Sequence, residues 1–146
     1  MCRTLVFLLG VVGAGLGCAP ARRAPEFLAA PAGPVRPFSP AVRANGFLFL
    51  SGQLGTGGDG RLVPGGIQPE TRQAMENVRA VLARAGSSLD RVVKCTVYLA
   101  DMREWGAMNE VYVTFFAPGR RPARSAAGAS GLALGARVEI ECLAAE

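Results

Sequence analysis

The chain of 146 residues contains no histidine, so neither a Ser-His-Asp nor a Cys-His pair can be assembled from it. Its four cysteines, Cys2, Cys18, Cys95 and Cys142, have no Cys-x-x-Cys spacing of the kind that holds a structural metal. Chemistry is thereby confined to carboxylates, arginine, Ser, Asn, Tyr, backbone groups and a lone thiol. Such groups are spread along the chain, Arg124 in Pro122-Ala123-Arg124-Ser125 and Glu139 in Val138-Glu139-Ile140-Glu141 among them. A guanidinium can take a carboxylate through two parallel hydrogen bonds and keeps its charge at any relevant pH. A glutamate can accept a proton from water and return it. By residue type alone Arg124 also reads as a surface or intersubunit salt-bridge arginine, and Glu139 as an ordinary polar position in an alternating strand.

The elements that must position these groups follow from periodicity and turn chemistry. Ala41 to Arg43 and Phe47 to Ser51 flank Asn45-Gly46, which predicts a two-residue hairpin. The stretch from Gly55 to Gly66 is turn-rich, with a brief pairing segment at 61–63. A helix is expected from Pro69, its apolar stripe formed by Ala74, Val78, Val81, Leu82 and Ala85, with Gly86 as the stop. Val92 to Leu99 reads as a strand with Val93, Cys95, Val97 and Leu99 on one face. Asp101 and Glu104 predict an N-terminal capping pattern for a second helix, with Trp105, Met108, Tyr112, Phe115 and Phe116 turned to the core. Strands at 124–129 and 137–142 close the domain, and the alternation of the last sends Val138, Ile140 and Cys142 inward and Glu139 and Glu141 to the opposite side. Cys95 and Cys142 read as buried small hydrophobes, with a disulfide between them open in an oxidising compartment. The resulting order predicts an α+β domain: a mixed sheet with two helices on one face. Phe47, Phe49 and Tyr98 would then be exposed on the other face, so a further copy of the chain is the expected cover.

Residues 1–17 hold Arg3 and an uncharged apolar run from Thr4 to Gly17, shorter than the ~20 residues of a membrane-spanning helix, and read as a signal peptide. Gly15-Leu16-Gly17-Cys18 resembles a bacterial lipobox, although Leu16 stands one residue later than usual. Cys18 is therefore the expected lipidation site, ordinary secretion being the alternative. Residues 18–37 are Pro/Ala-rich without a hydrophobic period and read as a tether, leaving 38–146 as the globular domain. The expected location is the bacterial cell envelope, lipid-anchored and facing the periplasm. The net charge of +5 comes from scattered arginines with no basic arm and no interleaved aromatics, a pattern that argues against nucleic acid as a partner.

Seven blocks, in order, resemble the RidA (YjgF) family of reactive-intermediate deaminases. They are Phe38-Ser39-Pro40-Ala41-Val42, Phe49-Leu50-Ser51-Gly52-Gln53, Thr71-Arg72-Gln73 with Glu76-Asn77-Val78, Val93 to Leu99, Met108-Asn109-Glu110-Val111-Tyr112, Pro122-Ala123-Arg124-Ser125 and Val138-Glu139-Ile140-Glu141. The resemblance implies a chorismate-mutase-like fold assembled as a homotrimer with ligand clefts between subunits. It also implies hydrolysis of small enamines and imines, such as 2-aminoacrylate and 2-iminopropanoate, to a 2-oxo acid and ammonia, with no metal or cofactor. On this resemblance Arg124 takes the substrate carboxylate and Glu139 is the general acid/base, with Glu141 as fallback. Ser51, Gly52, Asn109 and Phe38 shape the cleft. Two positions depart from the family pattern: Phe38 stands where Tyr is frequent, and Ala126 where Cys is frequent. The alternative reading is a non-catalytic envelope module that binds small carboxylates or amino-acid-like ligands in the same cleft.

Overall fold

The computed structural model describes residues 23–31 and 36–146. The expected signal peptide and Cys18 lie outside the described residues. Among the described residues nine strands and α-helices follow in order: β1 (Glu26–Phe27), β2 (Ala41–Ala44), β3 (Phe47–Leu50), β4 (Gln53–Leu54), α1 (Ile67–Arg84), β5 (Val92–Leu99), α2 (Trp105–Tyr112), β6 (Ala123–Gly128) and β7 (Val138–Ala145). They form one mixed sheet in the order β1-β2-β3-β7-β5-β6, with β4 also paired to β7. Only β5 and β6 run parallel among the described pairs. This is the expected α+β layer with both helices on one sheet face.

Local sequence explains most of these elements. Asn45 and Gly46 both take positive φ, 50° and 78°, the geometry of a type I′ turn that matches strand twist. The helix α1 begins at Ile67, two residues before Pro69, which sits in the first turn where its missing N–H has no partner to lose. Ala74, Val78 and Leu82 are fully buried along its stripe. The helix stops where Gly86 adopts φ +72° and Ser87 N–H donates to the Leu82 carbonyl at 2.8 Å. Strand β7 alternates without a fault: Val138, Ile140, Cys142 and Ala144 are buried against the helices, while Glu139, Glu141 and Leu143 lie on the other face.

Three features differ from the sequence-based expectation. First, the stretch read as a tether contributes β1. Glu26 pairs with Arg43 and Phe27 with Val42, Leu28 N–H donates to the Ala41 carbonyl at 3.0 Å, and the Arg43 guanidinium meets Glu26 at 2.9 Å. The strand starts directly after Pro25, a position that needs no ladder donor, and lies at the sheet edge where flanking prolines are tolerated. Second, a register shift between Val92 and Lys94 leaves Val93 41% exposed and puts Val92 into the core instead. Such a bulge places one extra residue opposite its partner strand and advances the face pattern by one. Third, the capping pattern is only half realised. The Asp101 carboxylate accepts from Arg103 N–H at 2.9 Å, but Glu104 turns away and pairs with Arg137 at 2.5 Å. Trp105, expected in the core, opens α2 at 43% exposure, while Met108, Tyr112 and Phe116 are buried.

Cys95 and Cys142 stand opposite each other in the β5–β7 ladder, buried beneath the helices, and are joined by a disulfide. The face away from the helices carries Phe27, Phe47 and Phe49, all substantially exposed. Because the crosslink closes a loop with a sequence separation of 47, chain-entropy arithmetic gives it about 4 kcal/mol of stabilisation. The double variant Cys95→Ala/Cys142→Ala is therefore expected to unfold at clearly lower denaturant concentration than the oxidised protein. An unchanged midpoint would show that the crosslink is absent or without consequence.

Candidate active site

The arginine half of the site is built by one face of α2. Arg124 lies on the edge strand β6 in register with Cys95 of β5, so its side chain leaves the sheet on the helix side. Trp105, Asn109 and Tyr112 follow one another at helical spacing of four and three residues, which stacks them on a single stripe. All three meet the guanidinium. Its Nη1 donates to Asn109 Oδ1 at 2.5 Å, and its carbon lies 4.8 Å from the centre of the Tyr112 ring and 5.9 Å from that of Trp105. Tyr112 is only 3% exposed, and its ring packs against Phe116 at 5.1 Å. Burial pushes the phenol up to about 12, with the Arg124 charge pulling the other way. The hydroxyl therefore stays neutral, and it has no hydrogen-bond partner among the described residues. One hydrogen bond and one stacked ring occupy part of the guanidinium, leaving further N–H donors for an anion.

The carboxylate half lies elsewhere. Glu139 is on β7, opposite Tyr98 of β5 and Leu54 of β4, on the face without helices. It forms no ion pair among the described residues. It lies directly over Gly52: a Cβ there would overlap Glu139 Oε1 and sit 2.8 Å from Cδ, so the carboxyl end would have to move aside. Ser51 secures the neighbouring segment, its N–H donating to the Pro40 carbonyl at 3.0 Å and its hydroxyl to the Ser39 carbonyl at 2.7 Å. That links Glu139 and Gly52 to the stretch bearing Phe38, whose ring is 51% exposed and lines a cavity of about 540 Å³ with Asp59, Asn77 and Arg84. Glu141 shares the Glu139 face, opposite Thr96, beside Phe49 and Lys94 in a smaller hollow of about 170 Å³. Ala126 packs partly against the core, in register with Val97.

The structure thus joins Arg124 with Asn109, and Glu139 with Gly52. It does not bring the two pairs together within one chain, because β5 separates their strands and they lie on opposite sheet faces. Asn109 was read as a cleft group; the geometry makes it first a holder of Arg124. Ser51, read the same way, has its donor spent on the Ser39 carbonyl. The spacing reads Tyr112 and Trp105 as core, which holds for Tyr112 at 3% exposure and not for Trp105. The signal that marks them as site residues is that Asn109 shares their stripe.

An α+β domain with two helices on one face of a mixed sheet, an arginine cradled at the sheet edge and a carboxylate over a glycine is the architecture to which known relatives can be compared. A family model described as Endoribonuclease L-PSP matches residues 28–146, and the chain belongs to this family, also called RidA or YjgF. A mouse protein named 2-iminobutanoate/2-iminopropanoate deaminase is 44% identical over 113 residues, covering 77% of this chain and 83% of its own. The crystal structure of a Rid family protein of unknown function from Yersinia pestis superposes with a TM-score of 0.78 at 35% identity, covering 84% of this chain and all of the other. That of Escherichia coli TdcF with bound serine gives 0.72 at 31% identity, over 78% and 91%.

Proposed function

We propose that the protein hydrolyses small 2-imino acids, and their enamine tautomers, to 2-oxo acids and ammonia, in clefts shared between copies of the chain in a homotrimer. The observation that carries this reading is the Arg124 guanidinium, held by Asn109 and the Tyr112 ring with donors still free. It is a ready receptor for the carboxylate of a 2-imino acid. The mouse relative's name supports the reaction class, and the serine in the Escherichia coli relative supports an amino-acid-shaped ligand. Assembly of several copies is supported by the same geometry. The uncovered face with Phe27, Phe47 and Phe49 needs an apolar partner, and Arg124 can meet a Glu139 carboxylate on one ligand only if a neighbouring copy supplies it.

The chemistry needs only water as second reactant. With the carboxylate on Arg124, the electrophilic carbon is fixed in place. Glu139 takes a proton from water as its oxygen adds to that carbon, giving a carbinolamine. The imine enters protonated, so this carbinolamine is neutral; the same carboxyl passes its proton to the amino nitrogen, the C–N bond breaks with its electron pair leaving on ammonia, and the carbinolamine hydroxyl gives its proton back to the Glu139 carboxylate as the carbonyl forms. Imines hydrolyse readily in water, so one oriented carboxylate and one oriented cation suffice. Because Gly52 has no side chain, the Glu139 carboxyl can lie directly against the backbone there.

Export is part of the same proposal. The apolar run at 4–17 and the cysteine that follows it support an anchor at Cys18, and a disulfide between Cys95 and Cys142 suits an oxidising compartment. A Cys18→Ala variant should become soluble in the periplasm or remain unprocessed, because acyl chains anchor where a 14-residue stretch cannot span. Retention of a processed form of that variant in the membrane fraction, or wild type unlabelled by a clickable fatty acid, rejects the anchor.

The two halves of the site should fail differently. Arg124→Ala is expected to weaken 2-oxo-acid binding, with a cost of about 2–5 kcal/mol for a desolvated bidentate contact. Glu139→Gln keeps the shape but cannot accept a proton, so binding should persist while turnover of imino acids generated in situ by an amino-acid oxidase falls ~10²-fold or more. Binding of 2-oxo acids by wild type without any acceleration over buffer would favour the non-catalytic binding module. Full activity in Glu139→Gln would remove the general-base role assigned here.

A further inference from the structure

We infer that Tyr112 is a positioning residue for Arg124, its buried ring acting as the platform that fixes the plane of the guanidinium and aims the free donors outward. The inference deepens the proposed reading of this site and rests on it for the identity of the ligand. Four observations carry it. The Arg124 guanidinium lies 4.8 Å from the ring centre, nearer than the exposed indole of Trp105 at 5.9 Å. The ring cannot drift, being 3% exposed and packed on Phe116 at 5.1 Å. It sits three residues from Asn109 on α2, so the one hydrogen bond and the one stacking surface that hold Arg124 move as a rigid unit. Finally, the hydroxyl is buried with no partner among the described residues. A phenol kept for its oxygen would normally be paired, so the part of Tyr112 in use is the ring face, through its attraction for the cation.

A merely structural aromatic and a platform for Arg124 predict different outcomes. Three variants are compared as assembled protein: Tyr112→Phe, which keeps the ring; Tyr112→Leu, which keeps apolar bulk without a π face; and Tyr112→Leu placed on Arg124→Ala. Tyr112→Leu should raise KM for imino acids, and Kd for 2-oxo acids, about 5- to 10-fold with kcat little changed, because a carboxylate contact acts on bound substrate and transition state alike. Tyr112→Phe should restore both. On the Arg124→Ala background Tyr112→Leu should add no further loss, since its effect passes through the missing guanidinium. The Arg124 Nε–H resonance supplies a readout independent of turnover: it should be shifted upfield by the ring in wild type and Tyr112→Phe, and return toward its random-coil position in Tyr112→Leu. Wild-type binding in Tyr112→Leu, an equal loss in Tyr112→Phe, or an undiminished loss on Arg124→Ala would each overturn the assignment. Should wild type neither bind 2-oxo acids nor turn over imino acids, the proposed function falls, and the Arg124 resonance alone decides the role of Tyr112.

Discussion

The strict two-residue alternation of β7, held between β3 and β4 on one side and β5 on the other, is the constraint from which the rest of the molecule follows. Side chains in a strand point alternately to opposite faces. Val138, Ile140, Cys142 and Ala144 therefore go to the helices and close the core, and Glu139, Glu141 and Leu143 must go to the uncovered face. A carboxylate in mid-sheet would be costly if buried without a partner. It is acceptable here because that face is open in the single chain and because Gly52 leaves room for it. The same ladder sets Cys95 against Cys142, so core closure and crosslink come from one register.

The face occupied by Arg124 is fixed by a second register, the parallel pairing of β5 with β6. Arg124 inherits the orientation of Cys95 and emerges under α2, where Asn109 and Tyr112 receive it. Within one chain the cation and the carboxylate consequently look away from each other across β5. We propose that this separation is the physical reason for assembly: each chain offers an arginine at one edge and a glutamate on its open face, and a site is complete only where two chains meet. The aromatic surface formed by Phe27, Phe47 and Phe49 provides an apolar driving force for that contact.

Much of this was legible in residue order, and the exceptions share one cause. The hairpin at Asn45-Gly46, the stripe of α1 and the alternation of β7 are local patterns, and the structure follows them. Val93 was misplaced because a bulge depends on how β5 meets β7, which no periodicity within β5 records. β1 was missed because the surrounding prolines hide a segment whose strand character comes only from pairing with β2. Trp105 was misread because an aromatic at helical spacing looks the same whether it faces the core or a cation. The residue types of the site stood out through the family resemblance. That Arg124 and Glu139 occupy opposite faces could not be read, since it requires the β5–β6 and β5–β7 registers together.

Subunit complementation tests the intersubunit site most directly. Arg124→Ala and Glu139→Gln chains, each inactive alone, are unfolded together at equal amounts, refolded and assayed. In a closed trimer each cleft takes its arginine from one chain and its glutamate from the next, so every mixed trimer carries one intact cleft in three. With three quarters of randomly assembled trimers mixed, recovery of about one quarter of wild-type activity is expected. A mixture as inactive as its two components, with mixed trimers present by native mass spectrometry, would contradict the account.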